Sequence, residues 1–422
     1  MSSHYFHKSL IRAYDLRGVI GKTLFAADAL ALGCALGTML NVNQRNLAIV
    51  GYDARNSSTM LENELTRGLA STGFHVQKIG LCATPELYFV THQLKAKLGI
   101  MITGSHNAKE YNGFKIIVNG NIPLYGEKLQ YLSEIASKGR WKFNYASIVK
   151  MESRNAYIKY LIESLDVKKP LKIAWDPANA AFCPALQDFC NKTKNLEHII
   201  INSKVDGNFP NHHPDPTKKE NLTQLAHTIQ KYHCDIGIAF DGDGDRIAVL
   251  DHKGNIISID HLICLFIEDV LSKKPKSTII GDIKLSNIVF NHAQKLGGKT
   301  VLSKTGHSFI RSKILETGAL FAGEASGHLF FSDLYLGYDD ALYAAIRLIN
   351  IVSHSPVSLN QLVARLPKVF SIPETRVHVE EQTKALMIKK ISEQLRQQNI
   401  KYNDLDIMHE LVRYSSMVLL LN

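Results

Sequence analysis

Three aspartates and an arginine fall within six residues near the middle of the chain. The segment Asp241-Gly-Asp-Gly-Asp-Arg246 follows an apolar run at residues 235–240 and precedes a second at residues 247–250. The two runs predict strands, so the aspartates lie on a tight loop where glycines can adopt backbone angles that other residues avoid. Carboxylates this close repel one another unless a cation holds them together. An all-oxygen ligand set on a short loop is typical of Mg²⁺.

Two other interpretations of this segment are a polar turn and a calcium-binding loop. A lone Asp-Gly-Asp is commonly a turn, but a third aspartate followed by Arg246 favours a metal site. An EF-hand loop needs Gly at its sixth position and Glu at its twelfth, and these positions are Arg246 and His252. The sequence therefore predicts a Mg²⁺ site formed by Asp241, Asp243 and Asp245.

A serine between glycine and histidine follows another apolar run. Thr103-Gly-Ser-His-Asn107 comes after residues 98–102, which predict a strand. The Gly-x-Ser-x-Gly signature of a hydrolase is absent. Beside a Mg²⁺ site, Ser105 makes sense as a phosphate acceptor, because a phosphoserine would present its oxygens to the metal. Taken alone, the segment is also compatible with a polar turn and a structural histidine. Lys115 is near enough in sequence to reach the same pocket.

Two further segments carry polar groups suited to a sugar. Residues 323–328 (Gly-Glu-Ala-Ser-Gly-His) offer a carboxylate, a hydroxyl and an imidazole, which can hydrogen-bond sugar hydroxyls. Residues 304–307 (Lys-Thr-Gly-His) add a cation and a hydroxyl. Each segment alone is also compatible with a tight polar turn, and His307 with a structural histidine.

The composition is that of a globular protein with several domains. Its 422 residues are too many for one core, and 45% of them are hydrophobic. The net charge of +10 is scattered along the chain, so we expect small anionic substrates rather than nucleic acid. We find no signal-peptide core and no uncharged stretch of membrane-spanning length, and we expect a cytoplasmic protein without membrane contact whose six cysteines are buried thiols.

Apolar strands that end in Asp or Gly alternate with helical segments over most of the chain. The predicted strand–helix pairs are residues 47–53 with 58–71, 171–177 with 182–192, and 278–282 with 286–296. This alternation predicts an α/β fold of three related domains with mixed sheets. A strand at 375–380 and an amphipathic helix at 382–398 predict a smaller α+β C-terminal domain. The predicted domains are residues 1–150, 151–253, 254–367 and 368–422.

Together, these motifs resemble the α-D-phosphohexomutases, and in particular the bacterial phosphomannomutase/phosphoglucomutase branch. The matching segments are Arg12-Ala-Tyr-Asp-Leu-Arg-Gly18, residues 103–107, 241–246, 304–307 and 323–328, and Asp206-Gly-Asn-Phe-Pro-Asn-His-His-Pro-Asp-Pro216. The resemblance implies four domains arranged around a central cleft. It also implies an isomerase that interconverts the 1-phosphates and 6-phosphates of mannose, glucose or both.

The resemblance further implies roles for individual residues. Ser105 is the phosphoserine, which transfers phosphate through a hexose 1,6-bisphosphate intermediate and, with Asp241, Asp243 and Asp245, holds one Mg²⁺ per chain. The implied catalytic residues are Ser105, His106, Lys115 and His307, of which the last three are candidates for the general base. The implied substrate-binding residues are Tyr14, Arg17, Arg246, Lys284, Thr305, Gly306, His307, Glu324, Ser326, His328, Arg413 and Ser415. The expected partners are small phosphosugars, and the expected state is a monomer.

The C-terminal segment departs from the family pattern. The family's phosphate-binding loop has the form Arg-x-Ser-Asn/Gly-Thr-x-Pro, whereas residues 413–417 are Arg-Tyr-Ser-Ser-Met. Arg413 and Ser415 match, and the following positions do not, so we expect an incomplete fourth domain; a compact variant whose tail forms the last strand is the alternative. A non-catalytic or weakened phosphosugar-binding protein is therefore a rival function. A serine hydrolase using Ser105 and His106 is another.

Overall fold

The computed structural model describes most of the chain. The described residues are 3–40, 46–368, 376–377, 386–387, 389–391, 393–394, 397, 402–406, 411–414 and 417–421. The chain divides into two compact units. The first comprises residues 1–257, 327–330 and 338–361, and the second comprises residues 258–326, 331–337 and 362–422. No helix among the described residues is long and apolar enough to cross a membrane. All six cysteines are buried, as predicted, and none forms a disulfide.

The N-terminal α/β domain is built on a seven-stranded mixed sheet. Its strands are β1 (Leu16–Val19), β2 (Leu47–Tyr52), β3 (His75–Leu81), β4 (Leu98–Ile102), β5 (Tyr111–Val118), β6 (Ile122–Pro123) and β7 (Ile148–Lys150). Its helices are α1 (Ala26–Leu40), α2 (Ser58–Ser71), α3 (Thr84–Gln93) and α4 (Glu127–Lys138). The strand order is β1-β5-β4-β2-β3-β7, with β6 paired to β5. Strands β4, β2, β3 and β7 are parallel, whereas β5 is antiparallel to both β4 and β1.

A second α/β domain in the same unit has a four-stranded sheet of order β11-β10-β8-β9. Its elements are α5 (Arg154–Ile162), β8 (Lys172–Asp176), α6 (Cys183–Lys192), β9 (Glu197–Ile200), a 3₁₀ turn (Lys219–Leu222), α7 (Thr223–Tyr232), β10 (Ile236–Phe240) and β11 (Ile247–Asp251). Strand β10 is parallel to β8 and antiparallel to β11. The predicted strands on both sides of the aspartate loop are thereby confirmed.

The third α/β domain has a sheet of order β13-β12-β14-β15. Its elements are α8 (Ile259–Lys273), β12 (Thr278–Asp282), α9 (Asn287–Lys295), β13 (Lys299–Ser303), α10 (His307–Thr317), β14 (Phe321–Gly323) and β15 (Leu329–Phe331). Two helices follow in the chain, α11 (Ala341–His354), which belongs to the first unit, and α12 (Leu359–Ala364). Strand β12 is parallel to both β13 and β14. The predicted fold of three related α/β domains with mixed sheets is confirmed.

Among the residues that the structure describes near the C-terminus, four short strands follow. They are β16 (Arg376–Val377), β17 (Tyr402–Asp406), β18 (Leu411–Tyr414) and β19 (Met417–Leu421), in the order β16-β19-β18-β17. Of the predicted strand at 375–380, β16 is the described part. Within the predicted helix at 382–398, the described residues are helical. The rest of both predictions lies outside the described residues.

The three sheets present their polar loops at equivalent points. Residues 103–107 follow β4, residues 241–246 follow β10, and residues 324–326 follow β14. In each case the preceding strand is parallel to the first long strand of its domain, β2, β8 or β12. Loops at the carboxyl ends of such strands are where α/β proteins bind their ligands. The repeated topology thus positions the three predicted chemical motifs in the same way within their own domains.

Candidate active site

Ser105 is buried at the end of β4, and its hydroxyl contacts the aspartate loop. Its Oγ donates a hydrogen bond to Oδ2 of Asp241 at 3.1 Å and lies 3.2 Å from Nδ1 of His106. The φ angle of Ser105 is 48°, a left-handed conformation that is uncommon for residues other than glycine. The backbone N–H of Ser105 donates to Oγ1 of Thr103 at 2.7 Å. The fold therefore brings the predicted phosphate acceptor to the predicted metal ligands.

The three aspartates of the loop are fully buried and converge. Carboxylate oxygens of Asp241, Asp243 and Asp245 lie within 4.8 Å of one another. Oδ1 of Asp241 accepts the backbone N–H groups of Asp245 at 3.1 Å and Arg246 at 3.3 Å, which closes the loop. The three predicted ligands therefore form one cluster.

Two glycines allow this loop to form. Gly244 has a φ angle of 75°, which a side chain would strain. A Cβ atom on Gly242 would lie 2.4 Å from the carbonyl oxygen of Ser105, so this position must lack a side chain for the two loops to meet.

Lys115 lies within the aspartate cluster. Its Nζ donates to Oδ2 of Asp243 at 2.7 Å and also to Oδ2 of Asp245. Burial lowers the pKa of Lys115, but the two carboxylates outweigh it and hold that pKa well above its ordinary value. Burial alone would raise the pKa of Asp243. The nearby charge of Lys115 outweighs this effect, so the pKa of Asp243 lies below its ordinary value. Burial, followed by Asp245 and Asp243, raises the pKa of Asp241 well above its ordinary value.

The cluster fits a hard metal ion. Oδ1 of Asp243 and Oδ1 of Asp245 are buried and make no hydrogen bond. Buried carboxylate oxygens without partners are costly, and converging carboxylates are the ligands that hard divalent cations prefer. The acidic site could therefore bind a metal ion.

His106 and Arg17 lie beside the Ser105 loop. Burial, followed by the charges of Arg246 and Arg17, lowers the pKa of His106 far below its ordinary value, so the imidazole is neutral. Arg17 donates to Oδ1 of Asn107 at 2.6 Å. Tyr14 is partly buried and interacts electrostatically with Arg17 and with Arg246. Arg17, which also pairs with Asp15, and Arg246 thus lie near His106 beside the buried serine.

His328 connects Arg246 to Asp339. Its Nε2 accepts a hydrogen bond from Nε of Arg246 at 2.9 Å, and its Nδ1 lies 2.8 Å from Oδ2 of Asp339. Because arginine can only donate, Nε2 must be unprotonated, and Nδ1 carries the proton that Asp339 accepts. Asp245, His328 and Asp339 also form a converging group of possible ligand atoms.

In the second unit, the predicted sugar-binding segments meet around two buried carboxyl groups. The N–H of Gly306 donates to Oε1 of Glu324 at 2.5 Å, and the hydroxyl of Ser326 donates to Oε2 at 3.2 Å. Thr305 donates to Oδ2 of Asp282 at 2.9 Å. Burial, followed by the charge of Glu324, raises the pKa of Asp282 to about 7. The 304–307 and 323–328 segments are therefore brought together at this point of the fold.

Four predicted residues remain. Lys284 is partly buried after β12, and His307 is buried at the start of α10. Arg413 lies on β18, but its side chain is outside the described part of the structure, as is the whole of Ser415. The assignment of these two to a phosphate-binding loop stays a prediction.

Several buried polar residues of these sites were not predicted from the sequence. They are Asp53, Arg55, Thr84, Asp282 and Asp339. Asp53 directly follows β2 and Asp282 ends β12, so the repeated aspartate at a strand end was an available signal. Thr84 donates to Oδ2 of Asp243 at 2.5 Å, but nothing in the local sequence indicates this contact.

Comparison with known protein families identifies three consecutive domains. The family described as phosphoglucomutase/phosphomannomutase, alpha/beta/alpha domain I, matches residues 8–142. Domain II of the same description matches residues 155–254, and domain III matches residues 258–370. The three matches follow one another in the order of the three α/β sheets.

Whole-length relatives agree with these matches. A phosphomannomutase/phosphoglucomutase of Pseudomonas putida is 39% identical over 383 residues, which cover 90% of this chain and 82% of the relative. A phosphoglucomutase of Neisseria gonorrhoeae is 38% identical, covering 89% of this chain and 81% of that protein. The crystal structure of a phosphoglucomutase/phosphomannomutase family protein from Burkholderia thailandensis superposes with a TM-score of 0.85 at 34% identity, covering 91% of this chain and 84% of that one. The chain therefore belongs to the phosphoglucomutase/phosphomannomutase family of α-D-phosphohexomutases.

Proposed function

We propose that this protein is a Mg²⁺-dependent phosphohexomutase that interconverts the 1-phosphates and 6-phosphates of mannose, glucose or both. The observation that carries the proposal is the 3.1 Å contact between Oγ of Ser105 and Oδ2 of Asp241 within a cluster of three carboxylates. Phosphoryl transfer depends on positioning and on stabilising negative charge, and this contact puts a phosphate acceptor beside a site for a cation. The reaction makes the protein an isomerase, like the relatives named phosphomannomutase/phosphoglucomutase.

The reaction consists of two phosphoryl transfers at Ser105. In the first, a sugar hydroxyl oxygen attacks the phosphorus of phospho-Ser105, the bond between phosphorus and Oγ breaks, the hydroxyl proton passes to a base, and Oγ takes up a proton. A hexose 1,6-bisphosphate results. In the second transfer, Oγ of Ser105 attacks the other phosphate and gives its proton to a base, the bond between phosphorus and the sugar oxygen breaks, and that oxygen takes up a proton and leaves as a hydroxyl. The covalent intermediate divides a difficult isomerisation into two easier steps.

Asp241, Asp243 and Asp245, with an oxygen of phospho-Ser105, would hold one Mg²⁺ per chain. When bound, this ion would neutralise charge on the phosphoryl group. Lys115 would keep Asp243 and Asp245 oriented through its two hydrogen bonds and adds a positive charge to the aspartate cluster.

His106 is a candidate to exchange a proton with the Ser105 hydroxyl. Its Nδ1 lies 3.2 Å from Oγ, within hydrogen-bonding distance. Because the hydroxyl donates to Asp241 and the lowered pKa makes the imidazole a weak base, the position of His106, not its basicity, supports this role. Lys115 is protonated and hydrogen-bonded to two carboxylates, which suits it to stabilise charge. Lys115 could accept the proton of the sugar hydroxyl only after losing its own proton, and His307 is the other candidate for that proton.

The proposed substrate-binding residues fall into two chemical groups, those that bind sugar hydroxyls and those that bind phosphate. Carboxylate, hydroxyl and imidazole groups bind sugar hydroxyls, and cationic groups bind phosphate. We assign the first role to Glu324, Ser326 and His328. We assign phosphate and general substrate contacts to Tyr14, Arg17, Arg246, Lys284, Thr305, Gly306, His307, Arg413 and Ser415.

The molecular context follows from the same assignment. The proposed domains are residues 1–150, 151–253, 254–367 and 368–422, which carry the phosphoserine, the metal site, the sugar-binding loops and a phosphate-binding loop. We propose a cytoplasmic monomer that binds phosphosugars, with hexose 1,6-bisphosphate as primer and neither nucleic acid nor membrane as a partner. The rival of a non-catalytic phosphosugar-binding protein is not favoured, because relatives that match 90% of the chain are named as mutases.

The proposal is tested by assaying mannose 1-phosphate and glucose 1-phosphate side by side, with Mg²⁺ and a hexose 1,6-bisphosphate primer. We expect the 6-phosphate product from at least one sugar, and loss of the reaction on addition of EDTA. A protein that binds either sugar phosphate but converts neither would instead be the non-catalytic rival. Labelling of Ser105 by a serine-directed acylating probe, without need of metal, would indicate a hydrolase.

A further inference from the structure

Arg55 is a buried arginine directly beneath the Ser105 loop. Its side chain is fully inaccessible to solvent. Arginine has five N–H donors, and all five are used here. They donate to Oδ2 of Asp53 and to the backbone carbonyls of Ser105, Asn107, Ala108 and Tyr111. One guanidinium group thus satisfies four carbonyl oxygens of the segment that carries the serine.

The Ser105 loop depends on such an anchor. The left-handed φ angle of Ser105 is unfavourable for a residue with a side chain, and its carbonyl would otherwise be buried without a partner. Nη2 of Arg55 donates to the carbonyls of both Ser105 and Asn107 at 2.6 Å. A Cβ atom on Gly104 would lie 2.5 Å from Cζ of Arg55, so this glycine lets the guanidinium approach the loop.

Asp53 secures the arginine and the loop together. Its Oδ2 accepts Nε of Arg55 at 3.0 Å, the hydroxyl of Thr103 at 2.8 Å and the N–H of Gly104 at 3.1 Å. The carboxylate and the guanidinium therefore bind the loop on both sides of Ser105.

The 206–216 segment, a sequence motif with no role in the proposed reaction, covers this arginine. The ring centroid of Phe209 lies 5.3 Å from Cζ of Arg55, within the range of a cation–π interaction. Phe209 is buried and has a left-handed φ angle of 51°. A Cβ atom on Gly207 would lie 2.4 Å from the carbonyl oxygen of Ala54, so the segment is in close contact with the turn that carries Arg55.

We propose that Arg55 is a positioning residue for phosphoryl transfer at Ser105, and that Phe209 holds Arg55 in place. The inference rests on the proposed function of Ser105. Arg55 acts through the loop backbone: it fixes the direction of Oγ toward Asp241 and His106. Through Phe209, the 206–216 segment thereby helps to position Ser105 for phosphoryl transfer.

Lysine at position 55 is the sharpest test, because it keeps the charge but lacks the planar array of five donors. A misplacement of about 1 Å can reduce a rate about 100-fold, so we expect Arg55→Lys to lower kcat about 100-fold and to leave KM within about threefold. The rate at which phospho-Ser105 transfers its phosphate in a single turnover falls by the same factor. The matched control, Arg67→Lys on the exposed face of α2, retains the wild-type kcat. A folded Arg55→Lys enzyme with kcat within about twofold of wild type would overturn the proposal.

Phe209→Leu provides a second test that preserves an apolar side chain. Loss of the aromatic face is expected to lower kcat about fivefold at unchanged KM. Combined with Arg55→Lys, it causes no further loss, because both changes act through the same contact. An unchanged kcat in Phe209→Leu, or fully additive losses, would overturn the assignment of Phe209. If the Arg55→Lys protein does not fold, the kcat of Phe209→Leu alone tests the proposal.

The turnover of Ser105→Ala is measured in parallel, so that failure of the role proposed for Ser105 can be distinguished from failure of the positioning role of Arg55. If Ser105→Ala retains turnover, the phosphoserine mechanism fails, and with it the basis of the positioning role. If Ser105→Ala is inactive and both Arg55→Lys and Phe209→Leu behave as wild type, the function stands and only the positioning role fails.

Discussion

The ammonium group of Lys115 lies between the carboxylates of Asp243 and Asp245 and donates a hydrogen bond to each. All three side chains are buried. A single lysine therefore compensates part of the negative charge of the candidate metal site. Removing Lys115 therefore shows how strongly the buried carboxylates destabilise the folded protein when no cation is bound.

Lys115→Met is expected to destabilise the metal-free protein. Removing one partner of a buried ion pair typically costs about 3–5 kcal/mol, because the remaining charge is left uncompensated. Urea unfolding in EDTA measures this loss. Mg²⁺ should recover part of it, since a ligand that binds the folded state stabilises that state.

The matched control for this change is Lys128→Met, at an exposed position on α4. It should leave the free energy of unfolding close to that of wild type. Equal stability of the two variants in EDTA would show that Lys115 does not balance the aspartates.

Replacing His106 with asparagine should slow the return of phosphate to the serine. Nδ1 of His106 lies 3.2 Å from Oγ of Ser105, within reach for proton exchange, and general acid–base groups contribute about 10²–10⁴-fold to a rate. We expect kcat to fall at least about 100-fold in His106→Asn. Rapid-quench measurement of Ser105 phosphorylation by the bisphosphate locates the loss.

His92→Asn, at an exposed position on α3, is the control and should react at the wild-type rate. If His106→Asn phosphorylates Ser105 as fast as wild type, another group takes the proton.

Glu86 should make stability depend on pH. Burial is the main cause that raises the pKa of Glu86, to about 7, and the hydroxyl of Ser153 donates to its Oε1 at 2.7 Å. With this raised pKa, the folded state binds the proton more tightly than the unfolded state. The stabilisation is therefore complete below about pH 4.5 and is lost as the pH rises toward 7. The loss is on the order of 3 kcal/mol.

Glu86→Gln keeps a neutral acceptor for Ser153 and removes the titration. The variant should match wild type at pH 5 and exceed its unfolding free energy at pH 8, as measured by urea unfolding across this range. Glu134→Gln, at an exposed site on α4, should retain the wild-type pH dependence. Parallel pH profiles for wild type and Glu86→Gln would contradict the account.

The sequence predicted the elements best where the pattern was local. The predicted helix at 58–71 has the same bounds as α2, and the strand predicted at 278–282 has the same bounds as β12. The aspartate loop was predicted between two strands because an apolar run lies on each side of it. Gly242 and Gly244 were predicted to serve a tight loop, and the structure adds that Gly242 also makes room for the backbone of Ser105.

Contacts between distant parts of the chain could not be predicted in the same way. Ser105 and Asp241 are 136 residues apart, so their spacing does not show that they meet; the chemistry of phosphate and metal and the resemblance to a family indicated it. Lys115 was expected near the pocket, but its place between two aspartates depends on the pairing of β4 with β5. Arg55 is followed by polar residues and resembles part of an exposed turn. Its burial arises only from the way the Ser105 loop and Phe209 enclose it.

Phosphate on Ser105 is the central claim, and a single-turnover chase of the phosphorylated protein tests it most directly. Intact-mass analysis should show one phosphate group on the wild-type protein and none on Ser105→Ala. On mixing with mannose 1-phosphate or glucose 1-phosphate, the phosphate should leave Ser105 at least as fast as kcat and appear in the hexose 1,6-bisphosphate. Ser105→Ala should lack turnover. Steady conversion of hexose phosphates by Ser105→Ala, or a phosphate on Ser105 that the sugar does not remove, would contradict the account.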